Sequence, residues 1–542
     1  MSSSSELIDA VRGKDHDVVQ KFLGQKSNEA SKIVVNVRDD ESGKTALHMA
    51  AEMGHVCVVE TLLQYGADLE ALNESHRTPL MCAARNGHSS VVSLLLQHGA
   101  NMETTDDVGS TALIETAHHD RKDTMKMLLR AGANVNTRNK HGQSVLGVAI
   151  CWEDYQQVKL ILEYGQNLDM DIVSESDSIT LWLLATKQSP VDMGFCQSLL
   201  RHGVDTNVSD KATGKTVLMH ATIKGHVGLI LTLLENGAAV DAVDKNGWTA
   251  LWEASCGYNL NCMSVLLSKG ANPNMKDNYG WTILTSGQTW QNDTVCLEKV
   301  KMLLRHKADP TIQNESAGDT ALHLACKYGR LELISVLITE HQTDVNVTNH
   351  NGQTPLMHAV SEGHDEVVGV LLYRFGAVAA VRRFDGCTAL HLAVRQAHVP
   401  IVEMLLRYEM KDADGRKQGN VSSRRLANIQ NQQGETPLHG AARCANMKLL
   451  RLLLSHGADC KVTNKAGRTG LQLAIADKLD VAVYELLHHH AAWFHSFVDV
   501  ALDIVGETCI VGQHIGEGEN PRPSDLEESA EEMMDVDEVW SD

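Results

Sequence analysis

Aromatic residues make up only 4% of this 542-residue chain. That excludes a core built on large rings. Leu, Ala, Val, Gly and His dominate instead, as short, closely packed helices require. Long apolar runs are missing too. The best, from Val367 to Val381, is short and interrupted by Arg374, so no segment matches a bilayer-spanning helix. Met1-Ser2-Ser3-Ser4-Ser5-Glu6 has neither a basic start nor an apolar stretch, and no secretory leader is expected. Positive charge is in deficit, with 48 Lys and Arg against 69 Asp and Glu, a net of −21. This balance argues against a nucleic-acid backbone as the main partner. It favours a basic partner, or solubility alone.

Twelve Cys occur singly, with no C-x-x-C pair. This usage points to a reduced, cytoplasmic or nuclear protein. No Gly-rich phosphate loop, nucleophile elbow or zincin helix is present, so neither catalysis nor a cofactor is expected. His is abundant, but its clusters, His118-His119 and His488-His489-His490 with His495, lack a Cys or acidic partner set. They read as solvated helix ends, with no metal.

What the chain does contain is one short phrase, repeated. Its clearest copy is Thr45-Ala46-Leu47-His48-Met49-Ala50-Ala51. Thirteen copies run from Thr45 to Thr469, and six of the twelve steps between them are 33 residues. A fixed period of this size means stacked structural repeats. The local chemistry gives one unit its form. Gly43 permits the positive φ of a hairpin tip, and Thr45 caps the following helix. Pro79 and Pro355 occupy the first helical position, where a missing N–H does no harm. Ala50-Ala51 allow a neighbouring helix to come close, and Gly54 ends the first helix. Val58, Val59, Leu62 and Leu63 then make the apolar stripe of a second helix. Such a pair of helices cannot bury its stripe alone, so it must stack.

The pattern T-P-L-H-x-A-A, then G-H, V-x-x-L-L and G-A, resembles the ankyrin repeat. Val91-Val92-Ser93-Leu94-Leu95 with Gly99-Ala100 matches it closely, as does Gly363-His364 with Val367, Val368, Leu371 and Leu372. The resemblance covers roughly residues 5 to 490. It implies an all-α solenoid of about 13 repeats plus N-terminal capping helices, with helix pairs stacked about 10 Å apart. In that architecture hairpin tips and first helices line a concave face that binds proteins.

The expected organisation is a capping half-repeat at 1–34, a solenoid at 35–490, a capping helix at 491–506 and an acidic disordered tail at 507–542. Spacing is irregular in places. The unit at 172–210, around Ile179-Thr180-Leu181-Trp182, is the most degenerate, and reads as a weak joint or a drifted repeat. The step from Thr388 to Thr436 is 48, which places a basic insertion at 410–425 with Lys411, Arg416, Lys417, Arg424 and Arg425. It reads as a solvated loop, a phosphorylation loop at Ser422 and Ser423, or a nuclear-import signal. Trp493, Phe494, Phe497 and Val498 form the stripe of the terminal cap. From Glu517 to Asp542 there are eleven acids and one Arg, too charged to build a core.

A partner site is sought where the repeats depart from their pattern. Trp248 and Trp281 fill the slot between hairpin Gly and capping Thr, one period apart. Trp252 replaces the His of T-P-L-H, Tyr279 joins the next tip, and Asp244, Glu253 and Asp277 add negative charge. Trp and Tyr are typical interface anchors. The same residues could instead pack between tips. Gly247-Trp248-Thr249 also resembles a run in the ankyrin domains of certain histone-lysine methyltransferases, which implies a cage for methylated lysine, although Ser286 stands at the place of the third cage Trp. The family resemblance further implies that Asn136 and Asn346 occupy the turn position modified by asparaginyl hydroxylases in many ankyrin proteins. The expected function is thus a monomeric, non-enzymatic scaffold or adaptor for a protein or peptide partner. An adaptor that recruits substrates to a modifying enzyme such as a ubiquitin ligase is the alternative.

Overall fold

Capping Thr residues set the register of each repeat. In the computed structural model, Thr45 Oγ1 accepts from His48 N at the start of the helix Ala46–Met53, and Gly54 closes that helix at φ +73°. The same arrangement recurs at Thr78 with Pro79–Asn86 and at Thr354 with Pro355–Glu362. Second helices such as Val56–Gln64 and Ser89–Gln97 follow after a short turn. The structure describes residues 3–25, 28–39, 42–170, 174–257, 259–286, 293–408, 421–444, 446–479, 482–483 and 486. The terminal cap, the acidic tail, the His488–490 cluster and most of the basic insertion lie outside these residues. Among the described residues there are 28 α-helices and no strand, as the repeat pattern predicts.

The chain divides into two compact units, Met1–Ala377 and Val378–Asp542. In the first, first helices pack in sequence: Ala46–Met53 on Pro79–Asn86, then Ala112–His118, Val145–Cys151, Glu175–Thr186, Val217–Ile223 and Ala250–Cys256. Second helices form a parallel row behind them. At the N-terminus Ser3–Arg12 and His16–Gly24 close the stack, with Leu7, Val11, Val19 and Leu23 buried. In the second unit Ala389–Arg395, Pro437–Arg443 and Gly470–Ala476 make the first-helix row. Where the insertion is expected to run as a loop to 425, the helix Val421–Ala427 has already begun. It packs on Val399–Arg407, with Leu426 and Ala427 buried.

The unit at 172–210, degenerate in motif, has both helices, Glu175–Thr186 and Met193–Arg201. Its core holds Trp182 and Phe195, the two bulkiest of the fully buried side chains. Bulk here replaces the lost Ala-rich motif. The first-helix row is interrupted elsewhere. After Thr282 the described residues give only the 3-10 turn Ile283–Thr285, where other repeats have helices of at least seven residues.

Histidines tie repeat to repeat. Thr45 N and Thr45 Oγ1 reach His48 Nδ1 at 3.2 and 2.8 Å, and His48 Nε2 reaches the carbonyl of Arg77, in the next tip, at 2.9 Å. The N–H of Thr45 requires Nδ1 to be the acceptor, so Nε2 carries the proton and donates. His323 makes the same bridge to Gln353 O at 3.0 Å, His391 to Glu435 O at 3.1 Å and His439 to Arg468 O at 3.2 Å. A second row starts the second helices. His88, His226 and His364 bond the carbonyls of Glu52, Thr186 and Lys327 at 2.8–3.0 Å.

Candidate functional site

The tips that carry the Trp cluster are built by their acids. Asp244 Oδ1 accepts from Asn246 N at 2.8 Å and Trp248 N at 2.9 Å. Asp277 Oδ1 does the same for Tyr279 N and Trp281 N, both at 2.9 Å. Gly247 and Gly280 adopt φ of +79° and +74° to close the turns. Both carboxylates are buried. They are structural first, and the same slot elsewhere holds Asn73, Asp106, Asn139, Asn349, Asn431 and Asn464. That regularity, five residues before the capping residue, is in the sequence and identifies the slot as tip-building.

The remaining site residues form a small cluster around one lysine. Lys215 Nζ is ion-paired with Glu253 and lies 3.4 Å from Asp244 Oδ2. It also stands 5.8 Å over the Trp248 ring. Trp248 stacks on Trp252 at 5.8 Å between ring centres. Trp252 and Glu253 are buried, at 3% and 8% exposure. The geometry is that of an ammonium held by an indole face and two carboxylates, and the chain's own Lys215 supplies the ammonium. Lys215 is a residue that sequence reasoning missed; its position directly before the capping Thr216 was the available signal.

Outward from this cluster the surface is aromatic. Tyr279 is 71% exposed. Trp248 and Trp281 are half-buried. Trp281 Nε1 donates to Ser316 Oγ of the next tip at 3.2 Å, so this ring also packs between repeats. Trp152, 67% exposed at the end of Val145–Cys151, lies away from the cluster in sequence and was not singled out.

The proposed modification position is also a bridge. Asn136 Nδ2 donates to Asn167 O at 2.7 Å, and Asn136 Oδ1 accepts from Asp169 N at 2.9 Å. Asn36, Asn207, Asn274 and Asn428 make equivalent pairs of bonds one repeat ahead. Sequence reading found only Asn136 and Asn346 of this set. For Asn346 the backbone N–H bonds Asp344 Oδ1 at 2.9 Å. Ser422 and Ser423 lie in Val421–Ala427, with side chains outside the description. Replacing Asn274 by Ala should remove two bridging bonds and destabilise by about 1 kcal/mol. An unchanged urea midpoint would show the bridge to be idle.

Among the described residues no group of three or more metal-ligating side chains exists, and no helix is long and apolar enough to cross a membrane. Cys82 and Cys326, in first helices, are core residues, and burial pushes the Cys82 thiol up to about 12.

Comparison with known proteins agrees with the fold. The family profile described as "Ankyrin repeats (3 copies)" matches residues 7–106, 99–172, 182–277, 288–381, 323–418, 375–464 and 419–494. The chain is also similar to the 2-5A-dependent ribonuclease of Homo sapiens, 42% identical over 62 residues. That stretch is 11% of this chain and 8% of the relative, so the match is confined to repeats. With helix pairs in register and the family profile matched along most of its length, this chain belongs to the ankyrin-repeat family.

Proposed function

We propose that the chain is a non-enzymatic scaffold that docks a protein or peptide partner on the tips around Tyr279, Trp248 and Trp281. Ankyrin repeats are generally protein–protein interaction modules. The observation that carries the site is Tyr279, 71% exposed at a tip flanked by two half-buried indoles. Exposed aromatics on a rigid frame are good anchors, because little side-chain freedom is lost on binding. Trp252, Asp244 and Glu253 support this surface from beneath. A methylated lysine of a partner would have to displace Lys215, which already holds the ammonium position over Trp248. Contact through the outer faces needs no such displacement.

Tyr279→Ala is the cleanest variant, since its ring buries little surface. Affinity purification from cells with quantitative mass spectrometry compares it with the unaltered chain. Partners held through this site should be depleted about thirtyfold, as for a hot-spot loss of about 2 kcal/mol, with an unchanged melting temperature. Identical partner sets would refute the site. Ligase subunits retained by both proteins would assign the chain to the adaptor class instead.

A further inference from the structure

The net charge of −21 conceals opposite signs within the chain. Residues 1–377 hold 45 Asp and Glu against 31 Lys and Arg. From 378 onward the described residues reverse this, with thirteen Lys and Arg against five Asp and Glu, a net of +8. The remaining acids of the second unit are concentrated at its end, where Glu517 to Asp542 carry eleven acids and one Arg.

The basic residues are distributed by the repeat. Arg395 and Arg443 occupy the same position, seven residues after their capping Thr, at the ends of first helices that pack on one another. Arg382, Lys465 and Arg468 belong to hairpin tips and are exposed. These tips are laddered, because Gln432 N bonds Asp385 O at 2.8 Å and Lys465 N bonds Gln433 O at 2.9 Å. The first-helix and tip rows therefore carry cations through all three repeats. Phe384, 70% exposed, lies among them beside Arg382 and Arg383. Two acids in this unit are already engaged, Asp385 with Arg383 and Glu435 with Arg443, both at 2.7 Å.

We infer that the basic tip and first-helix face of the second unit is the docking surface for the chain's own acidic segment, 517–542. The charges are complementary: the described residues of the second unit carry a net of +8, and segment 517–542 carries −10. Segment 517–542 starts 31 residues after Leu486, the last described residue. A flexible 26-residue chain would span about 25–30 Å, and three repeats stacked about 10 Å apart present a surface of similar length. Met533, Met534, Val536 and Trp540, interleaved with the acids, give Phe384 an apolar counterpart. Held in this way, the segment keeps other polyanions off the surface.

Zero-length carbodiimide coupling of the full chain tests this, because it joins carboxylates to amines in direct contact. Coupled peptides should link 517–542 to the tip residue Lys465 within one molecule, in preference to lysines of residues 1–377, and should fall at least fivefold at 1 M salt. A second variant replaces the acids of 517–542 by Asn and Gln at constant length. It should bind heparin at higher salt than the unaltered chain, and Arg395→Glu with Arg468→Glu should reverse that gain. Couplings spread evenly over all lysines, or heparin binding unchanged by neutralising the segment, would overturn the inference. So would an unaltered chain that binds a 30-nucleotide oligomer as tightly as the neutralised variant does. In that case the surface serves nucleic acid.

Discussion

Acidification from pH 7 to 4 is expected to unfold this stack well before its carboxylates protonate in number. Burial lowers the pKa of His48, His323, His391 and His439, and that of His323 falls to about 4. Geometry explains the direction. Each Nδ1 faces the N–H of its capping Thr, at 3.2 Å for His48 and His323, so a second ring proton would be set against that N–H. In the unfolded chain a His titrates near 6.5. Between the two values the unfolded state binds a proton that the folded state refuses. Stability is therefore full above about pH 6.5 and falls as pH drops toward 4. For His323 the difference amounts to about 3 kcal/mol, and the other three bridges act in the same direction. Burial alone would raise the Asp319 carboxyl, but its hydrogen bond with His358 holds it at about 2, so its contribution to stability is intact above about pH 4 and is lost only below this window, as pH falls toward 2. Thermal melts followed by circular dichroism from pH 7.5 to 4 check this. His323→Gln, which cannot be charged, should flatten part of the slope. A melting temperature independent of pH across this window would remove the histidine ladder as a source of stability.

Trp182→Ala should be among the most damaging single substitutions, destabilising the first unit by about 3–5 kcal/mol. Trp182 is completely buried and Nε1 donates to Asp205 O at 3.0 Å. Truncation leaves a cavity and an unbonded carbonyl together. Hydrogen exchange should accelerate first in Glu175–Thr186 and Met193–Arg201, then in the neighbouring helices, because each repeat is supported only by its neighbours. A loss below 1 kcal/mol would mean that the motif-poor unit is loosely packed after all.

The fold was legible because its signals agree in phase. Capping Thr, tip Gly and the second-helix stripe each predict the same boundaries, and the helices lie there. Long-range roles were less legible. The His of T-P-L-H bonds the capping Thr of its own repeat, but the other half of each bridge goes to a carbonyl 29 to 44 residues away, which no local pattern reports. Asp244 and Asp277 were read as surface charge because the aromatics beside them drew attention; compared across repeats, their slot is tip-building. Trp252 is a core residue because the His slot it fills is buried in every repeat where His stands. Lys299 went unnoticed. It occupies a second-helix position where the other repeats have an uncharged residue, such as Val58, Val91, Leu229 and Cys262. It is 1% exposed, and its Nζ donates to Ser255 O at 2.6 Å. Burial lowers its pKa. In the same repeat the described residues after Thr282 give only the 3-10 turn Ile283–Thr285, and the step from Thr282 to Thr320 is 38 residues.

The most direct measurement of the proposed binding role is hydrogen exchange of the full chain with and without a partner recovered through Tyr279. Protection should appear at the tips 244–249 and 277–282 and leave the second helix Leu260–Ser268 unchanged. Protection confined to second helices, with both tips exchanging as before, would contradict it.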